Sequence, residues 1–179
     1  MNAKATVGCF LAAALSLVPS MADADAKADL TLFSISKSEN RNEVRYAVQV
    51  DSECRPVGAS PVHAYWQNLE QGPTNTSPLL WIEQRAYGLS SQQIEPVGGA
   101  DGDRQVRVRL RALPERSIVV HTARNGGACV AQATTTVAAT RVSLYNVYAR
   151  LGRVFGVDSI TISGRRADTG AVVRETLKP

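Results

Sequence analysis

The chain has 179 residues, a length that suits one domain with a sizeable buried core. Its formal net charge of +4 is modest, although 16 of its 20 basic residues are arginine. No basic run is interleaved with aromatic residues, so we expect no nucleic-acid partner.

The first 22 residues have the order of regions found in a secretory signal peptide. Lys4 precedes an apolar run over residues 5–18, and small residues follow it up to Ala22. A run of 14 residues is too short to span the hydrocarbon core of a bilayer, so no stable membrane anchor is expected. We predict cleavage after Ala22, or two or four residues later, and a secreted or periplasmic protein. Residues 23–29 then form a mobile leader before a single domain over 30–179.

The predicted signal peptide contains one cysteine and leaves two others, Cys54 and Cys129. An even pair in an exported protein usually forms a disulfide. Closing a loop of this length stabilises a fold by about 4 kcal/mol in the chain-entropy model. Two buried free thiols are the alternative.

The rest of the chain reads as short strands separated by turn-forming residues. The predicted strands cover residues 30–35, 43–50, 61–67, 79–88, 92–97, 105–110, 117–123, 128–137, 141–153, 159–163 and 171–177. Residues 141–153 also fit a helical stripe, but their Val, Tyr and Ser content favours a strand. There is no convincing helix, no alternation of strands with helices and no internal repeat. These features predict an all-β fold, a single-domain antiparallel sandwich or barrel of roughly 8–10 strands.

Two polar features admit a binding interpretation beside an ordinary structural one. Residues 98–103 are rich in Gly and Asp but lack the spacing of a calcium-binding repeat, so a turn is expected. In the strand 105–110, Arg107 and Arg109 face outward together with Arg111 beyond it. This arginine row suits a solvated sheet face, with polyanion binding as the alternative.

Residues 61–67 and 79–88 contain the most varied chemistry in the chain. If both are strands, one face of the pair is apolar and includes Trp66, Leu80 and Ile82. The opposite face would collect the side chains that we predict to bind a ligand: His63, Tyr65, Trp81, Glu83, Arg85 and Tyr87. The two tryptophans are expected to be core or ring-stacking residues, with a ligand platform as the alternative.

Several short motifs in these segments resemble a known family. They are Ser36-Lys-Ser-x-Asn40-x-Asn42, Pro61-Val-His-Ala-Tyr-Trp66, Leu79 with Glu83, Ala86-Tyr-Gly88, and Gly164 with Thr169-Gly170 and Glu175. Over about residues 31–177, the chain resembles an uncharacterised bacterial family of exported β-rich proteins, catalogued only as a domain of unknown function. The resemblance implies an exported, mostly β domain and supports the strand at 141–153. It carries no assigned activity and therefore no site residue.

The chemistry visible in the sequence favours an exported, non-catalytic binding or interaction domain. Its ligand would be a small molecule, an envelope glycan or a protein. The first alternative is a hydrolase or isomerase in which His63 is the general base and Glu83 orients it. The second is a structural component of the cell envelope. With two histidines and no close-spaced ligand motif, we expect no metal and no cofactor.

Overall fold

The computed structural model describes residues 27–97, 104–152 and 157–178. The predicted signal peptide and the predicted turn at 98–103 lie outside these residues. Within them, the chain forms eleven strands and one short helix. Their bounds are β1 Ala28–Lys37, β2 Glu43–Val50, β3 Val62–Gln67, β4 Thr76–Pro78, α1 Trp81–Tyr87, β5 Leu89–Pro96, β6 Arg104–Leu110, β7 Leu113–Asn125, β8 Ala128–Val137, β9 Thr140–Leu151, β10 Val157–Arg165 and β11 Val172–Leu177. β1 thus includes the last two residues of the segment predicted as a leader.

The strands form where apolar and polar residues alternate. In β2, the alternate residues Val44, Tyr46, Val48 and Val50 are fully buried. β6 follows the same rule, because its alternate apolar residues are buried and its arginines point outward. The prediction of an all-β fold is confirmed, and residues 141–151 of the ambiguous segment lie in a strand, β9.

All eleven strands belong to one sheet that does not close. The main strand order is β4-β3-β2-β1-β9-β8-β7-β6-β5, and β10 pairs with the other edge of β9 and with β11. β9 joins two half-sheets, because its beginning pairs with β8 and its later part pairs with β1. The β1–β9 pairing is parallel, whereas all other strand pairings in the described residues are antiparallel.

The sheet curls around a single hydrophobic core, which brings its two ends close together. Residues from β1 and β2 share this core with residues from β6, β7, β9 and β10. β3, near one end of the strand order, contacts β5 at the other end. The fold therefore has the inside and outside of a barrel without a closed ladder of backbone hydrogen bonds.

The predicted disulfide between Cys54 and Cys129 is present, with the two Cα atoms 5.2 Å apart. It ties the loop after β2 to the start of β8, and the linked residues are 75 positions apart. A disulfide that closes a loop of this length stabilises the fold mainly by restricting the conformations of the unfolded chain.

The predicted strand at 79–88 is wrong, since Trp81–Tyr87 forms α1. The carboxylate of Glu83 accepts a hydrogen bond from the Leu80 N–H at 2.7 Å, which satisfies one of the free donors at the start of the helix. Leu80 and Ile82, which we expected in the core, are 64% and 59% exposed. In the described part of the chain, no helix has the length and apolar character needed to cross a bilayer.

Candidate functional site

A cavity of about 440 Å³ opens at one end of the curled sheet, and we call it the mouth cavity. It lies where β1 ends, β2 begins and β3 ends, and α1 forms one side of it. Its lining includes one indole and several polar side chains: Lys37, Asn40, Asn42, Trp66, Asn68, Ser77 and Glu83. Mouths of barrel-like sheets are common ligand sites because the strands provide a rigid frame there.

Trp66 supplies the aromatic surface of the mouth cavity. In the β2–β3 ladder it pairs with Val44, which is fully buried, so its indole is on the inner face of the sheet. The Tyr87 ring and the indole pack in a T-shaped arrangement with centroids 5.8 Å apart, and the Lys37 ammonium lies 5.4 Å from the indole centroid. These contacts fix the orientation of the ring and leave it half-buried.

The amide groups around Trp66 are held by hydrogen bonds to neighbouring loops. Asn42 Oδ1 accepts the Glu70 N–H at 3.1 Å. Asn68 Nδ2 donates to Asn75 Oδ1 at 3.0 Å and to Ser77 Oγ at 3.2 Å. Among the described residues, no hydrogen bond uses Asn42 Nδ2 or Asn68 Oδ1, so each amide keeps a free donor or acceptor for a ligand.

The helix α1 is anchored to the core through its last carbonyl group. The Tyr46 hydroxyl donates to the Tyr87 carbonyl at 2.5 Å, and the Gly88 N–H donates to the Gln84 carbonyl at 2.9 Å. Burial raises the pKa of the Tyr46 hydroxyl, so this donor keeps its proton. The anchor positions Glu83 beside the mouth cavity and Tyr87 against Trp66.

Two carboxylates act on the Tyr87 phenol beside the mouth cavity. Burial raises the pKa of the Tyr87 phenol, and the negative charges of Glu39 and Glu83 raise it further. The phenol is therefore neutral at physiological pH. Glu39 also forms an ion pair with Lys37 at 3.6 Å, which partly neutralises the ammonium over the indole.

The six predicted ligand-binding residues do not form one face. Glu83 lines the mouth cavity and Tyr87 touches Trp66, whereas His63 and Tyr65 lie on the outer face of β3. The face we predicted requires two paired strands, and the helix α1 removes the second one. Trp81 is 71% exposed on α1, with the Arg85 guanidinium 5.3 Å from its ring centroid.

His63 and Glu83 are on different elements and face different surroundings. The His63 Nε2 atom lies 3.5 Å from a carboxylate oxygen of Asp29, and both side chains are largely exposed. Glu83 instead accepts the Leu80 N–H. The base-and-orienter pair of the enzyme hypothesis is therefore not assembled by these strands. In the ranges that the structure describes, no three His, Cys, Asp or Glu side chains form a group that could hold a metal ion.

Sequence reasoning missed most of the mouth cavity. Lys37, Asn40 and Asn42 lie in the first resembling motif, and Trp66 ends the second, but these segments are far apart in sequence. The sequence feature that could have indicated this cavity is the clustering of amide side chains near strand ends, which are frequent positions of binding residues. The hairpin pairing of β1 with β2 and of β2 with β3, together with the position of α1, brings them together around the indole.

One of three comparisons with known proteins found a match. Neither a search of curated proteins nor a search of solved structures returned a match. A family model matches residues 33–176, which cover β2 to β10 completely, half of β1 and most of β11. The chain therefore belongs to the family described as Domain of unknown function (DUF4833).

Proposed function

We propose that this domain is an exported, non-catalytic binding module that holds a small hydroxyl-rich ligand, such as one end of an envelope glycan, in the mouth cavity. The observation that carries the proposal is the convergence of one half-buried indole with amide, hydroxyl and carboxylate groups around a cavity of about 440 Å³. Ligand sites typically combine an apolar surface with a few well-placed polar groups.

The chemistry of the lining favours a saccharide over an apolar ligand. The C–H groups of a sugar ring can pack on the Trp66 indole, as apolar surfaces do on aromatic rings. Its hydroxyl groups can donate to Asn68 Oδ1 and Glu83, and they can accept from Asn42 Nδ2. Both kinds of partner are needed because each sugar hydroxyl is a donor and an acceptor.

A binding role also fits the position of His63, the proposed general base, which lies away from the mouth cavity. A general base must lie within hydrogen-bond reach of the proton that it removes. His63 is on the outer face of β3 beside Asp29, away from the polar groups of the mouth cavity. The enzyme hypothesis therefore loses its proposed base, and the mouth cavity supports recognition better than acid–base chemistry.

Export is part of the proposal. The disulfide supports an oxidising compartment, since structural disulfides persist in secreted and periplasmic proteins. Mass spectrometry of protein from the periplasm or the medium should find the N-terminus at Asp23, Asp25 or Lys27. A mature pool that retains Met1 would contradict export.

The binding proposal can be tested by fluorescence, because the chain has only two tryptophans. In a Trp81→Phe background, Trp66 is the single indole and reports on the mouth cavity. Titration with a panel of neutral oligosaccharides should produce a saturable change in emission for at least one of them. Glu83→Gln keeps an acceptor for the Leu80 N–H but removes the charge, and we expect it to weaken binding about 3- to 10-fold.

The matched control is Glu115→Gln, which removes an exposed carboxylate on β7. It should leave the affinity unchanged. The proposal fails if no oligosaccharide changes the Trp66 emission, or if Glu115→Gln and Glu83→Gln weaken binding equally.

A further inference from the structure

A straight row of side chains crosses five strands on the outer face of the sheet. The strand register pairs Arg107 with Val119, Val119 with Thr134, Thr134 with Ser143, and Ser143 with Arg165. The residues on either side of Val119, Thr134 and Ser143 along their strands are buried, so these three face away from the core. We call the five residues the outer row. At a strand spacing of about 4.8 Å, its two ends are roughly 19 Å apart.

Three surface cavities adjoin along the outer row, with volumes of about 410, 250 and 430 Å³. The first and second share Thr134 and Arg141, and the second and third share Gln132 and Ser143. Because neighbouring cavities have common walls, they form one furrow across the strands. A furrow of this length suits an extended chain better than a single small molecule.

The furrow is positively charged. Arg107 is neutralised by Glu95, with its Nε atom 2.8 Å from a carboxylate oxygen. Within the described residues, no carboxylate lies within ion-pair distance of Arg109, Arg141 or Arg165. Of these three, Arg141 lines the first two cavities, Arg165 ends the outer row, and Arg109 is two residues from Arg107 on the same face of β6. The other arginines of the lining are paired, Arg107 with Glu95 and Arg166 with Asp168, so the surplus of positive charge in the furrow comes from Arg141. Guanidinium groups bind carboxylate, sulfate and phosphate in a planar, bidentate manner.

The remaining groups along the furrow are hydroxyls and an amide. Arg141 Nη2 lies 3.5 Å from Thr134 Oγ1, and Ser117, Ser143 and Gln132 add further polar groups to the cavity walls. Such groups match the hydroxyls of a sugar chain. Binding of single-stranded nucleic acid typically uses several aromatic platforms, whereas the described residues that line the three cavities include no Phe, Tyr or Trp.

We propose that the outer face of β6–β10 binds an anionic polysaccharide laid across the strands along the outer row. The anionic groups pair with Arg141 and the arginines at the two ends, and the sugar hydroxyls bond to the hydroxyl groups between them. This site is separate from the mouth cavity and does not depend on a ligand there.

Two anionic polymers and one neutral polymer test the proposal by calorimetry at low and at physiological salt. Polygalacturonate carries carboxylates, dextran sulfate carries sulfates, and dextran is uncharged. We expect at least one anionic polymer to bind, dextran not to bind, and affinity to fall as salt screens the charges. The polymer that binds more tightly identifies the anionic group that the site prefers.

Three variants locate the site on the furrow. Arg141→Gln should weaken polymer binding about ten-fold, since it removes a charge-assisted contact. Arg85→Gln is the control, because it removes the same charge from α1 and should change the affinity less than about two-fold. Glu95→Gln frees Arg107 from its carboxylate and should strengthen binding several-fold, a gain that a folding defect cannot produce.

Four results with the polymers and the variants would overturn the proposal. They are equal binding of dextran, equal weakening by Arg85→Gln and Arg141→Gln, no gain from Glu95→Gln, and absence of binding to both anionic polymers. Tighter binding of single-stranded DNA with the same dependence on Arg141 would also overturn it, in favour of a nucleic-acid site.

Discussion

The side-chain amide of Gln92 takes the place of a strand partner for the backbone of Val62. The Val62 N–H donates to Gln92 Oε1 at 3.1 Å, and Gln92 Nε2 donates to the Val62 carbonyl at 3.2 Å. Val62 is in β3 and pairs on its other side with Val48 of β2, whereas Gln92 is in β5 at the opposite end of the strand order. One side chain therefore bridges the gap in a sheet whose backbone does not close.

Replacing Gln92 should open this gap. Gln92→Leu keeps a similar side-chain size but leaves both backbone groups of Val62 without their partner, so we expect a loss of about 1–3 kcal/mol in the free energy of unfolding. Urea titration measures the loss, and faster hydrogen exchange of the Val62 amide would place it. Gln93→Leu changes an exposed neighbour and should stay within about 0.5 kcal/mol. Similar losses in the two variants would mean that Gln92 does not bridge the sheet.

The hairpin between β8 and β9 has an unfavourable two-residue turn. Ala138 and Ala139 have φ angles of 47° and 62°, in the left-handed region that favours glycine. The preceding hairpin, between β7 and β8, uses Gly126 and Gly127 with φ angles of 56° and 87° in the same positions. Two-residue turns of type I′ require positive φ at both positions, and alanine reaches it only with strain.

Ala139→Gly should therefore stabilise the protein. We expect a gain of about 1 kcal/mol, because glycine adopts a positive φ without the steric cost paid by Ala139. For a domain of this size, that corresponds to a rise of roughly 2–4 °C in Tm in a thermal melt. Ala131→Gly, inside β8, should instead lower stability by about 0.5–1 kcal/mol. A loss of stability in Ala139→Gly would show that the turn is not strained.

The same turn has a partner in Glu175 on β11. The Glu175 carboxylate accepts the Ala138 N–H at 2.8 Å and lies 2.6 Å from Arg116 Nη2. The hydrogen bond from Ala138 and the contact with Arg116 lower the pKa of Glu175 below its ordinary value. The folded state therefore holds this carboxylate ionised at a pH where the unfolded chain begins to protonate it.

Stability should fall in acid partly through Glu175. A lowered pKa in the folded state means that the unfolded chain binds protons first, so this contribution is complete above about pH 5 and is lost as pH falls through the folded pKa. Urea titrations of wild type and Glu175→Gln at pH 7 and pH 3 measure the effect. The gap between the two proteins should be smaller at pH 3 than at pH 7. A gap independent of pH would assign the effect to packing.

Local pattern predicted most strands because one face of each is buried. β2 and β8 begin and end at the predicted residues, and in β2 strict alternation marks the buried side. The segment that became α1 also alternates, and this led to the wrong prediction. Glu83, three residues after Leu80, occupies the position of a helix-capping carboxylate, and Gln, Arg and Ala follow it as good helix formers.

The site could not be predicted because its lining depends on strand register and on the helix α1. Val44 pairs with Trp66 and Trp66 pairs with Ser77, so consecutive hairpins place the indole beside the ends of β1 and β4. Glu83 reaches the same cavity because residues 81–87 form a helix, which the alternation of that segment did not indicate. The parallel pairing of Ser34 with Asn146 joins residues 112 positions apart, and no local pattern specifies such a pairing either. Alternation along the strand did place Trp66 on the same face as Val62 and Ala64. It gave no reason to expect a cavity, instead of core packing, at the end of that face where Trp66 lies.

The anchor of α1 leads to the last prediction. Tyr46 is fully buried, its ring stacks on Phe33 with centroids 4.5 Å apart, and its hydroxyl donates to the Tyr87 carbonyl at 2.5 Å. Tyr46→Phe keeps the ring and its stacking but leaves that carbonyl without the hydroxyl donor. We expect a loss of about 1–3 kcal/mol in the free energy of unfolding. Hydrogen exchange should become faster in α1, while β2 keeps its protection.

The effect should reach the mouth cavity, because α1 carries both Glu83 and the Tyr87 ring that packs on Trp66. In the Trp81→Phe background, Tyr46→Phe should shift the emission of Trp66 even without a ligand, since the edge contact with Tyr87 loosens. Tyr65→Phe is the matched control on the outer face of β3 and should change neither stability by more than about 0.5 kcal/mol nor the emission. If Tyr46→Phe lowers stability but leaves the Trp66 emission and α1 exchange at wild-type values, the hydroxyl stabilises the core without positioning the helix.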